Sequence, residues 1–278
     1  MLVNQIIYKK KLSENVFRFT IKSPFIAAEH RPGQFIMLQI DTEYGERIPL
    51  TIADSDKENG TITIVFQAVG KTTCLLSRFM EGDSIANILG PLGNPTHIEN
   101  FGRVICVGGG IGTAPLFPIV KGLKKAGNEV ITIIGSRTRD LVIMEKEMRQ
   151  YSDDLIICTD DGSYGRKDLV TVPLKELCKE KPDMVIAIGP PVMMKFCAET
   201  TRVFNIPTVV SLNTIMVDGT GMCGGCRVSI GGKTKFVCVD GPEFDAHLVD
   251  FDNMILRLNS YKDFEKNALH KCRLEIKE

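Results

Sequence analysis

The chain has 278 residues, 44% of them apolar and 24% charged, which is the composition of a folded globular protein. Its 34 basic residues balance 34 acidic ones, so the charge does not indicate a nucleic acid or an anionic membrane as partner. The first residues hold no apolar run suited to a signal peptide, and no run of about 18 apolar residues follows, so we expect a soluble cytoplasmic protein.

Residues 1–99 contain short runs rich in β-branched and aromatic residues. The clearest are NVFRFTIKS, GQFIMLQI and GTITIVFQAV, with the turn signal DKENG just before the last. Short strands at close spacing are typical of a small barrel or sandwich. We predict an N-terminal antiparallel β-barrel.

Residues 100–207 alternate between buried strands and helices. The predicted strands are RVICVGGG, EVITIIGS, DLIICTDD and DMVIAIGPP, and the predicted helices are TAPLFPIVKGLKKAG, LVIMEKEMRQYS, LVTVPLKELCKEK and VMMKFCAETTRVF. This alternation is the signature of a parallel sheet with helices on both faces. We therefore predict a central α/β domain.

Residues 208–278 have no such periodicity. A loop with three cysteines comes first, and RVSIGGKTKFVCV then predicts a β-hairpin that turns at Gly231 and Gly232. One or two helical stretches are expected in the polar tail. We predict a small third module.

The stretch VICVGGGIGTAP, residues 104–115, carries the strongest nucleotide-binding signal. A buried strand enters a glycine-rich turn and a helix leaves it, so backbone N–H groups and the helix N-terminus can meet a phosphate. Pro115 stands where the G-x-G-x-x-G pattern has its third glycine. The next strand ends in Ser136, Arg137 and Arg139 instead of an acid that would bind a ribose, so NAD and NADP both stay open.

Three other turns have the residues of a ligand site. TDDGSYG and GPPVMM follow strands of the predicted parallel sheet, where ligands collect outside the carboxyl ends of the strands. In the first segment, AVGKTTCLLS places a Gly-Lys-Thr-Thr turn before a helix, a plausible phosphate site. It is not the P-loop of an ATPase, because Val65 stands where that motif needs a glycine.

Nine cysteines in a chain without an export signal are expected to be thiols or metal ligands. Five lie singly in or beside apolar runs and are predicted to be core thiols: Cys74, Cys106, Cys158, Cys178 and Cys197. The role of Cys272 stays open.

The other three cysteines form the pattern D-x4-C-x2-C-x11-C, in which Asp218 precedes Cys223, Cys226 and Cys238. The plant-type [2Fe–2S] pattern is C-x4-C-x2-C with a fourth cysteine further on. Three hypotheses follow: a cluster with Asp218 as one ligand, a zinc site completed by Cys272, or an empty loop. The matching register favours the cluster.

Taken together, PLT, VGKTT, GPLG, VGGGIGTAP, DDGSYG, GPPVMM and the cysteine loop resemble the ferredoxin–NADP reductase superfamily. Within it they are similar to the small subunits of electron-bifurcating, NADH-dependent reduced ferredoxin:NADP oxidoreductases. A related branch holds the electron-transfer subunits of dihydroorotate dehydrogenase. The resemblance covers nearly the whole chain and implies an FAD barrel, an NAD(H) domain and a C-terminal [2Fe–2S] module.

The resemblance also implies roles for individual residues. Pro49, Leu50 and Thr51 would line the flavin ring, and Gly70, Lys71, Thr72 and Thr73 would hold the FAD pyrophosphate. The nicotinamide nucleotide would meet Gly110, Ile111, Gly112, Thr113, Asp161, Gly162 and Met193. Further cofactor contacts are expected from Ile52, Val65, Gln67, Gly109, Ser136, Arg137, Gly189 and Pro190, and metal ligation from Asp218, Cys223, Cys226 and Cys238.

One departure concerns the flavin motif R-x-x-S/T. Ile48 occupies its arginine position and Arg47 lies one residue earlier, and a shift by one residue in a strand reverses the face. A phosphate-binding role for Arg47 is therefore not expected.

The activity implied is hydride exchange between NAD(H) and FAD, followed by single-electron transfer through the cluster to a larger flavin and iron–sulfur partner subunit that handles NADP and ferredoxin. No catalytic acid or base is expected. The alternatives are the electron-transfer subunit of dihydroorotate dehydrogenase, which the resemblance associates with four cysteine ligands, and a zinc-stabilised, nucleotide-binding regulatory subunit.

Overall fold

The computed structural model describes residues 3–43 and 45–275 of the chain. Its first part forms six strands and two short helices: β1 (Ile6–Ser13), β2 (Val16–Lys22), α1 (Pro24–Glu29), β3 (Phe35–Gln39), β4 (Arg47–Asp56), β5 (Thr61–Gln67), α2 (Lys71–Leu76) and β6 (Asn87–Leu92). All neighbours pair antiparallel in the order β1-β2-β5-β4-β3-β6. The predicted strands are confirmed, but β1 and β6 do not pair, so the sheet is not closed.

The second part alternates between strands and helices as predicted. Its elements are β7 (Arg103–Gly109), α3 (Thr113–Lys125), β8 (Glu129–Ser136), α4 (Glu145–Tyr151), β9 (Asp154–Thr159), α5 (Thr171–Cys178), β10 (Met184–Ile188), α6 (Pro191–Arg202) and β11 (Thr208–Ser211). The five strands are parallel in the order β11-β10-β7-β8-β9. Their carboxyl ends therefore meet at one edge, where the glycine-rich turn lies.

The last part contains β12 (Arg227–Ile230), β13 (Lys233–Phe236), α7 (Val237–Asp240), β14 (Glu243–Asp245), α8 (Phe251–Asn259) and α9 (Lys262–Glu275). The predicted hairpin is confirmed for β12 and β13, but VCV is not strand, because α7 begins at Val237 and carries Cys238. β14 returns to the second sheet and pairs antiparallel with β11. Within the described ranges, every helix is too short or too polar to span a bilayer.

The two large sheets share a core and are joined by ion pairs. Phe35 of β3 belongs to the same buried apolar cluster as Val107 of β7. Lys121 on α3 lies 2.9 Å from a carboxylate oxygen of Asp54 on β4. These contacts hold the first sheet against the second and leave a cavity between them.

The predicted core thiols behave as packed apolar groups. Cys106, Cys158, Cys178 and Cys197 are buried as expected, whereas Cys74 is half-buried. Burial raises the pKa of Cys158 and of Cys178 to about 11, and it raises the pKa of Cys197 to about 12. Because the thiolate is the reactive form, these side chains are inert at neutral pH.

Candidate functional site

A cavity of about 1190 Å³ lies between the two sheets. Fifteen of the predicted cofactor-binding residues line it: Pro49, Leu50, Thr51, Val65, Gln67, Thr73, Gly109, Gly110, Ile111, Gly112, Ser136, Arg137, Gly189, Pro190 and Met193. The other seven do not: Ile52, Gly70, Lys71, Thr72, Thr113, Asp161 and Gly162. Motifs that are far apart in sequence therefore converge on one cavity.

Strand β4 forms the wall of the cavity on the side of the first sheet. Ile48, Pro49, Leu50 and Thr51 line the cavity in succession, while Arg47, one residue earlier, is exposed and lies outside it. Because four consecutive residues line the cavity, the alternation of side chains along a strand does not by itself explain the position of Arg47. Its position still agrees with the expectation that Arg47 does not take the place of the arginine in the superfamily's flavin motif.

The Gly-Lys-Thr-Thr turn is organised by Thr73. The Thr73 hydroxyl oxygen accepts the backbone N–H of Gly70 at 3.0 Å and that of Val69 at 3.2 Å. The neighbouring Thr72 is buried and donates its hydroxyl to the Glu46 carboxylate at 2.7 Å. Thr73 is thus the member of this turn that faces the cavity, and Thr72 anchors the turn from behind.

Two glycines of the turn between β7 and α3 have different surroundings. A Cβ on Gly112 would lie 2.4 Å from the carbonyl oxygen of Ile188, so this glycine is required for the close approach of β10. A Cβ on Gly110, which has a φ of 53°, would meet nothing within 4 Å. The space at Gly110 is open to the cavity, which fits a ligand that approaches the backbone there.

Thr113 begins the helix behind this turn. Its side chain is fully buried, and its hydroxyl has no hydrogen-bond partner among the described residues. Buried hydroxyls are nearly always paired. Thr113 does not line the cavity, so its hydroxyl does not face a ligand bound there.

The turn after β9 presents a different acid from the one predicted. Asp160 lines the cavity, whereas Asp161 does not. The Asp161 carboxylate accepts the backbone N–H of Ser163 at 3.0 Å and its hydroxyl at 2.7 Å, and these hydrogen bonds lower the pKa of Asp161. Asp161 therefore stabilises its own turn.

Two arginines follow β8, and only one faces the cavity. Arg137 lines it, while the guanidinium of Arg139 lies 5.2 Å from the centre of the Tyr164 ring in a cation–π contact. Arg137 and Asp160 thus place opposite charges at this end of the cavity.

Several cavity residues were missed by sequence reasoning because they come from segments without a motif. They include Phe35, Leu169, Asn213, Met216, Pro242 and Leu258. Their positions depend on how the three parts of the chain pack together. No local pattern in the sequence signals this.

In the cysteine loop, Asp218 is held facing Cys223. Its carboxylate accepts the backbone N–H of Thr220 and that of Cys223, each at 2.6 Å. The hydrogen bond from Thr220, followed by the side-chain bond from Cys223, lowers the pKa of Asp218 to about 2. Asp218 is therefore an anion, and one of its carboxylate oxygens lies against the backbone of Cys223, the next residue of the D-x4-C pattern.

Cys226 and Cys238 form a second pair. Both side chains are buried, and the Cys226 thiol donates to the Cys238 sulfur at a distance of 3.2 Å. Burial and then this hydrogen bond raise the pKa of Cys238 to about 12. A metal would have to displace these protons on binding.

The loop does not hold a preformed site for a single metal ion. Within residues 3–43 and 45–275, no three His, Cys, Asp or Glu side chains are grouped to hold one ion. The four sequence-predicted ligands instead fall into two pairs, Asp218/Cys223 and Cys226/Cys238.

Cys272 is not part of this loop. It is buried on α9, a helix that packs against α2 of the first sheet. The tetrahedral zinc site predicted as an alternative is therefore not assembled in the described part of the chain.

The loop also touches the flavin side of the cavity. Gly219 has a φ of 76°, and a Cβ there would lie 2.5 Å from the side chain of Met37 on β3. Met216, two residues before Asp218, lines the cavity. Only a residue without a side chain lets the loop lie this close to the first sheet.

Comparisons with known proteins agree with this arrangement. The family model of the iron–sulfur cluster binding domain of dihydroorotate dehydrogenase B matches residues 213–250. The dihydroorotate dehydrogenase B (NAD(+)) electron transfer subunit homolog of Thermotoga maritima is 51% identical over 265 residues, 95% of this chain and 93% of that protein. The electron transfer subunit of Bacillus caldolyticus is 33% identical over 246 residues, 86% of this chain and 94% of that one.

A solved structure is similar over the same range. It is a chain from the NADH-dependent reduced ferredoxin–NADP oxidoreductase, described for flavin-based electron bifurcation, with 49% identity, a TM-score of 0.92 and 98% of each chain covered. The fold is thus ferredoxin-reductase-like with a C-terminal iron–sulfur-binding domain. The chain belongs to the family of dihydroorotate dehydrogenase B electron-transfer subunits and their homologues.

Proposed function

We propose that this chain is the NAD(H)-side electron-transfer subunit of an electron-bifurcating, NADH-dependent reduced ferredoxin:NADP oxidoreductase. The observation that carries the proposal is the cysteine loop: it holds the pairs Asp218/Cys223 and Cys226/Cys238, and Met216, just before it, lines the cavity that the flavin and nucleotide motifs share. The 49% identity over 98% of both chains to a subunit of such an enzyme supports it.

The three segments would have separate tasks. Residues 1–99, with their open antiparallel sheet, would bind the flavin, residues 100–207 would form the NAD(H) domain, and residues 208–278 the [2Fe–2S] module. When bound, FAD and the cluster would supply the conversion of a two-electron hydride transfer into single-electron steps.

On the flavin side, the chain would bind and orient the ring. Pro49, Leu50 and Thr51 form an apolar edge of the cavity with one hydroxyl. Thr73, whose hydroxyl is held by the N–H groups of Val69 and Gly70, would lie beside the FAD pyrophosphate.

On the nucleotide side, the open space at Gly110, which lines the cavity, supports dinucleotide binding. Arg137 and Asp160 have opposite charges, so charge alone does not select NAD(H) or NADP(H). The assignment of NAD(H) depends on the relationship to the NADH-dependent enzyme.

A larger partner subunit follows from the same relationship, since the relatives are named electron-transfer subunits. Exposed apolar side chains surround the cysteine loop: Val217 is 58% exposed and Met222 88%. Such residues at the rim of the loop are consistent with an interface.

The test is to purify the protein together with its bound cofactors and partner subunits. The flavin, iron and acid-labile sulfide contents of the complex are then measured. We expect one FAD, about two irons, reduction by NADH in preference to NADPH, and a larger flavin and iron–sulfur subunit in the complex. Zinc without flavin would contradict the proposal and favour a regulatory subunit.

The electron-transfer subunit of dihydroorotate dehydrogenase is the second candidate, because the 33% identical relative bears that name. NADH-driven reduction of orotate by the purified complex would favour it. NADPH-driven reduction of ferredoxin that depends on NAD would favour the bifurcating enzyme.

A further inference from the structure

Two arginines bind the backbone between Cys223 and Cys226. The guanidinium of Arg227 donates to the carbonyl oxygen of Gly224 at 3.2 Å, and that of Arg257 donates to Gly225 at 3.3 Å. These carbonyls belong to the two residues of the x2 spacer. Both positive charges therefore lie directly against the segment that separates two of the proposed ligands.

The two arginines differ in origin and exposure. Arg227 follows Cys226 at the start of β12 and is exposed, whereas Arg257 comes from α8, beyond the 213–250 segment, and is half-buried. None of the salt bridges among the described residues involves Arg257 or Arg227. Because Arg257 is half-buried, its charge is less screened by water than that of the exposed Arg227.

The packing around Arg257 keeps its guanidinium in place. A cavity of about 10 Å³ separates α8 from the loop and is lined by Arg257, Gly225 and Leu258 among others. This is barely the space that one water molecule needs. The next residue, Leu258, lines the large cavity as well, so Arg257 lies beside the wall between the cavity and the loop.

A cluster held by three thiolates and a carboxylate is anionic, and it becomes more so when it is reduced. A fixed positive charge stabilises the reduced form more than the oxidised form. Resting on the proposed function, we infer that Arg257 is a positioning residue that raises the reduction potential of the cluster and so favours electron transfer from the flavin. It acts through the Gly225 carbonyl and is not itself a ligand.

The test is a redox titration, followed by EPR, of the full-length protein purified with its cofactors. Arg257→Gln should lower the potential so that the ratio of reduced to oxidised cluster falls about tenfold at a fixed potential, a shift of about 59 mV for one electron. Arg257→Lys keeps the charge and should stay close to the wild type. Arg227→Gln, at the exposed arginine, should shift the potential less than Arg257→Gln.

A second variant leaves the Arg257 side chain itself unchanged. Asn253 is exposed one turn earlier on α8, so Asn253→Glu places a carboxylate at the i, i+4 position that pairs with Arg257. It should lower the potential in the same direction, while Asn253→Gln should not. Iron content is measured for every variant as the check on cluster assembly.

An unchanged potential in Asn253→Glu, or in an iron-replete Arg257→Gln, would overturn the inference. A potential in Arg257→Lys as low as in Arg257→Gln would also overturn it, since geometry and not charge would then matter. Absence of a [2Fe–2S] EPR signal from the wild type would instead contradict the proposed function.

Discussion

The Asp218 carboxylate and the backbone N–H of Cys223 are joined by a 2.6 Å hydrogen bond across the four residues that separate them. A second bond from the N–H of Thr220 completes a turn around the carboxylate. Asp218 thus has two tasks that must be separated by experiment, because it shapes the loop and is also the proposed fourth ligand. A cysteine at this position would keep the ligand and weaken the hydrogen bonds.

The first prediction separates these tasks. Asp218→Cys should keep the cluster and lower its potential, because a thiolate donates more electron density than a carboxylate. Asp218→Ala should make the cluster labile, and Cys223→Ala should be worse. Asp218→Asn is the control, since its amide oxygen can still accept the N–H groups but is a poor iron ligand. If Asp218→Ala and Asp218→Cys both match the wild type in iron content, EPR spectrum and potential, Asp218 is only a loop residue and not a ligand.

The second prediction concerns the glycine turn. Gly110→Val directs a side chain into open space at a φ of 53°, so it should block the dinucleotide while the fold persists. We expect the rate of flavin reduction by NADH to fall about 100-fold, with FAD and iron retained. Gly82→Val is the matched control, because Gly82 also has a positive φ, 97°, and open space around it but lies away from the cavity. Equal rates in the two variants would remove the turn from the nucleotide site.

Gly112→Val would not make this distinction. Its side chain would meet the backbone of Ile188 at the end of β10, so it should destabilise the whole domain. Loss of activity in Gly112→Val would therefore reflect misfolding. The rate of flavin reduction should be measured by stopped flow on Gly110→Val instead.

The third prediction concerns the flavin. Thr73→Asp keeps an oxygen that can accept the Gly70 N–H, so the turn should persist, but it adds a negative charge beside the proposed pyrophosphate. FAD affinity should fall by about 100-fold or more, with the iron content unchanged. Thr73→Ser should bind FAD normally. Stoichiometric FAD in the purified aspartate variant would show that the flavin is held elsewhere.

The fourth prediction uses a carboxylate that lies between two parts of the chain. The Thr96 hydroxyl, in the connector between the sheets, donates to Glu243 of β14 at 2.5 Å. Burial raises the pKa of Glu243 to about 7. The stability that this group contributes is therefore complete below the ordinary glutamate pKa, near 4.5, and is lost as the pH rises through 7.

Glu243→Gln should remove this pH dependence, since the amide is neutral and its oxygen still accepts from Thr96. At pH 8 the variant should gain about 3 kcal/mol in the free energy of unfolding over the wild type, and at about pH 4 the gain should be close to zero. Urea unfolding at the two pH values measures this. A gain of the same size at both values would mean that titration of Glu243 is not its source.

The sequence predicts the central sheet and the cysteine loop well, for physical reasons that differ. The strands β7, β8, β9 and β10 are buried on both faces, so each is a continuous apolar run that stands out locally. The loop is found because the spacing from Asp218 to Cys238 matches the plant-type pattern with one residue replaced.

What the sequence does not predict depends on tertiary packing. The strand β14 has three residues, too few to show a period, and its partner β11 is more than thirty residues away. Asp160 faces the cavity instead of Asp161 because Asp161 is occupied by Ser163, a choice that adjacent acids in sequence cannot reveal. Leu258 and Arg257 reach the loop only because α8 folds back on it.

The pairing of β14 with β11 protects the edge of the second sheet. The segment between the two strands holds the cysteine loop, the β12–β13 hairpin and α7, and β14 covers the outer side of β11, which would otherwise present unpaired N–H and C=O groups. Uncovered strand edges recruit strands from other molecules. A chain cut before Glu243 keeps all four proposed ligands but should self-associate through β11, and light scattering of such a fragment would detect this.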